Sequence, residues 1–172
     1  NVWNAVDGPG AAVVEFGLEL ESVIPLLPDA KTDPLIGLIG AMDDLEPEEV
    51  AVFQVLFQRA QHDWPGSILR TVTDSEGQPV FVNPPELAER AKEKLASPLH
   101  GVVVRIAVRA DDIDRTWTIA RRMAFALRVF GGRGGNSLIP LHNDEYPFEA
   151  HVDDLIHRQS RRSGMLLNSE EL

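Results

Sequence analysis

The sequence contains no cysteine, which excludes disulfide bonds and thiolate metal sites. Long hydrophobic runs are missing as well: the longest apolar stretches fall far short of the roughly 20 residues that a membrane-spanning helix needs. These absences predict a protein of the reducing cytoplasm without a membrane span. Because the chain starts at Asn1 without an initiator methionine and ends at Leu172 inside a continuing pattern, we expect it to be a piece of a longer protein.

Signatures of nucleotide binding and catalysis are also missing. None of the lysines, Lys31, Lys92 and Lys94, follows a glycine, so the phosphate-binding pattern Gly-x-x-x-x-Gly-Lys-Ser/Thr does not occur. The glycine-rich run at 131–135 follows a predicted helix instead of leading into one, and it therefore indicates a helix stop. No serine lies in a Gly-x-Ser-x-Gly turn. The sequence predicts no catalytic residue and no cofactor.

Basic residues are scarce in the first third of the chain. The formal net charge is −11; residues 1–60 hold 11 acids and two bases, and residues 61–172 hold 16 acids and 14 bases. A negative field repels phosphate, so we expect no direct nucleic-acid binding. The basic cluster Arg158, Arg161 and Arg162 is a candidate exception, although a solvated or salt-bridged tail is the explanation that we favour.

The clearest pattern present is a strand followed by the longest helix. Residues 99–109 alternate as a half-buried strand does. Asp111 or Asp112 then caps a helix that ends at Gly131. Its apolar stripe predicts buried positions at Ile113, Trp117, Ala120, Ala124 and Leu127.

The other patterns are shorter. In chain order they predict a strand at 11–21, a helix at 34–45, a strand at 50–58, a short helix at 67–72, a brief strand at 80–82, a helix from 84 to 96, an edge strand at 137–141, a helix at 149–158 and a helix starting at Asn168 or Ser169. The stripe of the helix at 34–45 is expected to face the core, and it comprises Leu35, Leu38, Ile39, Met42 and Leu45.

This order predicts an α+β fold, a ferredoxin-like split βαβ sandwich over residues 11–141. An insertion of about forty residues, 59–98, separates its two middle strands. Residues 142–172 are expected to form a C-terminal helical extension toward a missing downstream domain. A right-handed crossover places strand 99–109 between strands 11–21 and 50–58, antiparallel to both.

One face of this sheet is expected to remain uncovered and polar. Alternation places on it Glu15, Glu19, Gln54, Gln58, Arg105 and Arg109. Cross-strand pairs on a solvated face account for these residues. Together with Arg158, Arg161 and Arg162 they are also a candidate interaction surface.

The one spacing that suggests a metal site runs from His142 to His157. It comprises His142, Asp144, His151, Asp153, Asp154 and His157, and these groups suit zinc or manganese. A solvated, polar helix explains the same residues. We therefore predict no metal ligand and keep a small, free-standing metal-dependent hydrolase as the alternative function.

Several short segments resemble a known region. They are 33–42, 52–58, Trp64, 85–87, 102–105 and 161–172, the last reading Arg-Arg-Ser-Gly-Met-Leu-Leu-Asn-Ser-Glu-Glu-Leu. Together they resemble the domain that precedes the motor in type IV secretion and conjugation-like ATPases of the HerA-FtsK class. The resemblance implies a non-catalytic accessory domain for assembly or interaction. Its implied partners are a downstream ATPase domain of the same chain and neighbouring subunits of an oligomer. No catalytic residue carries over, because the Walker motifs of the class have no counterpart here.

Overall fold

The computed structural model describes residues 5–26, 33–61, 86–131, 134–144 and 146–172. These residues form a mixed structure, an open antiparallel sheet of five strands with four α-helices. The predicted helix at 67–72, the predicted strand at 80–82 and Trp64 lie outside the described residues. Within the described part, no helix is long and apolar enough to cross a membrane.

The strands are β1 (Ala11–Leu18), β2 (Val50–Arg59), β3 (Leu99–Arg109), β4 (Leu138–Pro140) and β5 (Met165–Asn168). The helices are α1 (Pro34–Ala41), α2 (Glu86–Leu95), α3 (Ile113–Ala126), which continues as a 3-10 turn over Leu127–Phe130, and α4 (Phe148–His157).

Strand β3 is the centre of the sheet. The strand order is β2-β3-β1-β4, and β2 pairs with β3 over the whole length of β2. On its other side β3 pairs first with β5 and then with β1, where Glu15 lies opposite Arg105. The predicted antiparallel pairing of the first strand with strand 99–109 is confirmed.

The larger hydrophobic core lies between the sheet and helices α1 and α3. Asp112 caps α3 by accepting a hydrogen bond from the amide of Arg115. The buried positions of the helix and the following turn are Thr116, Ile119, Ala120, Met123 and Leu127.

The predicted burial of Trp117 and Ile113 is wrong. Trp117 is 40% exposed, because the inward face runs one position earlier, through Thr116. The Thr116 hydroxyl accepts the amide hydrogen of Ala110 at 3.0 Å and donates to the Gly10 carbonyl at 2.7 Å. A polar residue thus occupies the buried position because it satisfies the backbone at the end of β3.

Helix α1 is shorter and less buried than predicted. It ends at Ala41 instead of Leu45. Leu38 is buried, whereas Leu35 and Ile39, which we expected in the core, are exposed. The apolar residues of α1 therefore lie on two sides of the helix, one packed against the core and the other exposed to solvent.

The first strand ends at Leu18 instead of Glu21. The side chain of Asn136 accepts a hydrogen bond from the Leu20 amide at 2.8 Å and donates one to the Leu20 carbonyl at 3.1 Å. These bonds replace strand pairing there, which is why the ladder stops.

The sheet face that we expected to be uncovered is covered by α4. A second hydrophobic cluster forms there from Val13, Val52, Ala107, Val152 and Leu155.

The predicted helix start at Asn168 or Ser169 is also wrong, since residues 165–168 form β5 and a turn follows. Met165 and Leu167 alternate into the larger core, which favours a strand. The role of 142–172 as a link to a further domain stays a prediction.

The position of the inward face of α3 can be tested by truncation. Ile119→Ala is expected to lower the free energy of unfolding by about 2–5 kcal/mol, because the side chain is fully buried. The matched control Trp117→Ala should lose less than half as much, since its ring is partly in water. Urea denaturation of both variants measures the difference, and an equal or larger loss at Trp117 would contradict this assignment.

Candidate interaction surface

A buried polar cluster joins the sheet to α4. Arg105 is fully buried, and its Nε donates to Glu15 Oε2 at 2.8 Å while its Nη1 donates to the Gln159 carbonyl at 2.8 Å. On the other side of β3, Gln54 Nε2 donates to the Leu155 carbonyl at 3.0 Å. The sheet side chains therefore hold the C-terminal end of α4 in place.

Three residues of the predicted interaction surface are consequently not on a surface. Glu15, Gln54 and Arg105 are buried, because α4 packs over them through Val152 and Leu155. Alternation placed them correctly on one face of the sheet. It did not indicate that a later helix covers that face.

The remaining residues of that predicted set lie around the buried cluster. Glu19, Gln58, Arg158 and Arg161 are exposed, and Arg109 and Arg162 are partly buried. Arg161 donates to the Ala150 carbonyl and pairs with Asp153, and Arg162 donates to the His142 carbonyl. Arg161 and Arg162 thus hold the C-terminal segment together, and their role toward a partner stays a prediction.

The residues of the metal-like spacing are dispersed. His142, Asp144 and His157 are exposed, whereas His151 is 1% exposed and its ring packs edge-on against Tyr146 with centroids 3.7 Å apart. No group of three or more histidines and carboxylates in the described ranges is arranged to hold a metal ion. This geometry gives no support to the hydrolase alternative.

Burial and hydrogen bonding determine the ionisation of His151 and Asp154. Burial lowers the pKa of His151 from 6.5 to about 4, and the nearby charges of Arg162 and Arg105 act in the same direction. Neither ring nitrogen of His151 has a hydrogen-bond partner among the described residues. Burial alone would raise the pKa of Asp154, but hydrogen bonds from Tyr146 and from the Arg161 amide outweigh it and lower that pKa. His151 is therefore neutral and Asp154 ionised at pH 7.

A second feature is an exposed apolar surface where α1 lies beside α3. Ile36 and Ile39 of α1 are well over half exposed, and Phe125 of α3 is 72% exposed. The helices approach closely at Gly37, where an added Cβ would lie 3.7 Å from the Ala126 Cβ. We call Ile36, Ile39, Phe125, Arg121 and Arg128 the α1–α3 surface.

The α1–α3 surface combines apolar side chains with basic ones. The Arg128 guanidinium lies 5.9 Å from the centre of the Phe125 ring, which is a cation–π distance. Arg121 and Arg128 line the shallow groove between the helices. Exposed large apolar side chains with basic residues beside them are typical of interaction sites.

Sequence reasoning missed this surface because it assigned Ile39 to the core and did not consider Phe125. The signal that could have identified it is the position of Phe125, which lies outside the apolar stripe of α3. A large aromatic residue on the outer face of an amphipathic helix indicates a contact beyond the domain core.

No protein-family model, no curated protein and no solved structure matches this chain.

The buried ion pair predicts strong, non-additive effects of substitution. Glu15→Ala should lower the free energy of unfolding by about 3–5 kcal/mol, because Arg105 keeps its charge without a carboxylate partner. The double variant Glu15→Leu with Arg105→Met removes both charges and should cost much less than the two single changes together. Chemical denaturation measures Glu15→Ala, the single variants Glu15→Leu and Arg105→Met and the double variant, with Glu19→Ala as the control on an exposed glutamate. A loss at Glu15 no larger than at Glu19 would refute the role of the pair.

The lowered pKa of His151 predicts a specific acid sensitivity. Between pH 6.5 and 4 the unfolded chain binds a proton at His151 that the folded chain does not bind. The free energy of unfolding is therefore highest above pH 6.5 and decreases as the pH is lowered toward 4. At pH 5 this amounts to about 2 kcal/mol. His151→Phe should therefore flatten the loss of stability between pH 7 and pH 5.

The control for this experiment is His142→Phe, because His142 is exposed. It should keep the pH dependence of the unchanged protein. Thermal or urea unfolding at several pH values measures the slopes, and identical slopes for His151→Phe and the unchanged protein would rule out a neutral buried imidazole.

Proposed function

We propose that this chain is a non-catalytic assembly domain of a type IV secretion or conjugation-like motor ATPase of the cytoplasm. The sequence resemblance over 33–42, 52–58 and 161–172 supports the class of motor. The observation that carries the interaction role is the α1–α3 surface, whose three large apolar side chains are exposed.

The fold that we propose for the first four strands is the ferredoxin-like split βαβ arrangement. The strand order β2-β3-β1-β4, with all pairs antiparallel, agrees with it. Helices α1 and α3 also pack against each other and against the same core. In this proposal α4 and β5 are additions that cover the second face and extend the sheet.

The partner proposed for the α1–α3 surface is the downstream ATPase domain of the same chain. Burying exposed Ile36, Ile39 and Phe125 would remove apolar area from water, at roughly 25 cal/mol per Å². Arg121 and Arg128 add positive charge to a chain whose net charge is −11. An acidic patch on the motor would complement this rim, and it would be repelled by most of the remaining surface.

In this proposal the chain itself does no chemistry on nucleotides. It lacks the lysine and hydroxyl that hold phosphates and magnesium in P-loop enzymes. Its contribution is to position the motor and to engage neighbouring subunits. Direct binding of nucleic acid and a resident cofactor have no part in it.

The proposal is tested on the longest chain that the reading frame encodes, carrying Phe125→Glu or Ile39→Glu. Each change places an acid on the α1–α3 surface, so we expect assembly and ATPase activity to fall by about tenfold or more. Ile113→Glu is the matched control, since Ile113 is exposed on the same helix at its other end. Light scattering and ATP turnover measure the effect.

Two outcomes would overturn the proposal. One is a stop codon directly after Leu172, which leaves no motor for the domain to serve. The other is equal activity of the Phe125→Glu, Ile39→Glu and Ile113→Glu chains.

A further inference from the structure

Strand β2 forms one side edge of the sheet. It is 10 residues long, contains no proline, and its only charged residue is Arg59 at its end. Among the described residues no strand pairs with its outer edge. Val55 is 37% exposed and Phe57 is exposed as well. Side edges of natural sheets are usually protected by charge, proline or a bulge, and β2 has none of these along most of its length.

The hydrogen bonds to β3 determine which backbone N–H and C=O groups of β2 point away from β3, toward the open edge. The Ala60 amide donates to the Leu99 carbonyl at 2.9 Å. In an antiparallel ladder hydrogen-bonded pairs alternate with non-bonded ones, so the even-numbered residues of β2 bond to β3. The backbone groups of the odd-numbered residues 51, 53, 55, 57 and 59 therefore point to the open edge.

We propose that two copies of this chain pair along β2, antiparallel, about a two-fold axis at Val55. In this register Val55 lies opposite its copy, and Phe53 lies opposite Phe57 on both sides of the axis. Ala51 lies opposite Arg59. The backbone groups of all five odd-numbered residues of β2 then have partners in the other copy, which gives about ten backbone hydrogen bonds between the copies.

The register about Val55 is selected by the length of the strand. Any other symmetric register that bonds odd-numbered residues to each other leaves at least one of them without a partner within β2. The Val55 register also places aromatic rings opposite each other, and such cross-strand pairs contribute roughly 0.2–1 kcal/mol each. The two sheets would join into one continuous sheet.

Charge at the two ends of β2 fits this pairing. The stretch that precedes the strand carries the exposed residues Glu46 and Glu48, and the far end of the strand carries Arg59. Antiparallel pairing brings the acidic end of one copy beside Arg59 of the other. By symmetry this contact forms twice, and it is a complementarity that a parallel arrangement would not provide. The inference does not rest on the proposed motor.

The test uses two edge positions of equal exposure. Val55→Arg places like charges opposite each other at the axis and should weaken dimerisation about tenfold or more. Ile139→Arg, on the opposite edge strand β4, is the control, because Ile139 is 36% exposed. Sedimentation equilibrium over a range of concentrations measures the dimer, and circular dichroism verifies that both variants fold.

A crosslinking experiment tests the register independently of stability. Because the chain has no cysteine, Val55→Cys introduces a single thiol, and a short bismaleimide should join two copies. Ile139→Cys should not give a covalent dimer under the same conditions. A monomeric unchanged chain, a dimer that Val55→Arg leaves intact, or equal crosslinking at both positions would overturn the proposal. A monomeric chain whose odd-numbered β2 amides, at residues 51 to 59, resist hydrogen exchange would overturn it in favour of another occupant of this edge.

Discussion

The burial of the Arg105 charge constrains the rest of this structure. A guanidinium removed from water is costly unless its donors are paired. Here the compensation comes from Glu15 on β1 and from the Gln159 carbonyl after α4. Both partners must be in position together, so the pairing of β1 with β3 and the docking of α4 are linked energetically. The C-terminal segment is thereby tied to the sheet by a polar contact as well as by β5.

Much of the sheet could be predicted from the sequence, because alternation and crossover handedness are local or generic rules. They placed β3 between β1 and β2 and set Glu15 beside Arg105. The packing of α4 over the second face could not be predicted in the same way, because α4 begins about forty residues after the end of β3. One signal was present: Val103 and Ala107 share that face with Arg105 and are apolar. A strand with apolar residues on both faces indicates that both are buried.

Helical periodicity was less informative than strand alternation. The stripe through Trp117 satisfies the same spacing as the stripe through Thr116, and only the hydrogen bonds of Thr116 with Gly10 and Ala110 decide between them. The α1–α3 surface was missed for a related reason. The spacing of apolar residues on a short helix does not show whether a given residue packs in the core of its own chain or contacts a partner. Ile39 illustrates this, since its spacing matches that of buried Leu38.

The coverage of the second face also determines where partners can approach. Helix α4 occupies the middle of that face, so its buried groups, His151 among them, do not meet a ligand from solvent. Exposed large apolar side chains on other elements include those of the α1–α3 surface and Val55 and Phe57 on the edge strand β2. These two regions use different contacts, since one offers side chains from helices and the other offers backbone groups of a strand. Pairing with a second copy and binding of another partner would therefore draw on different groups of the chain.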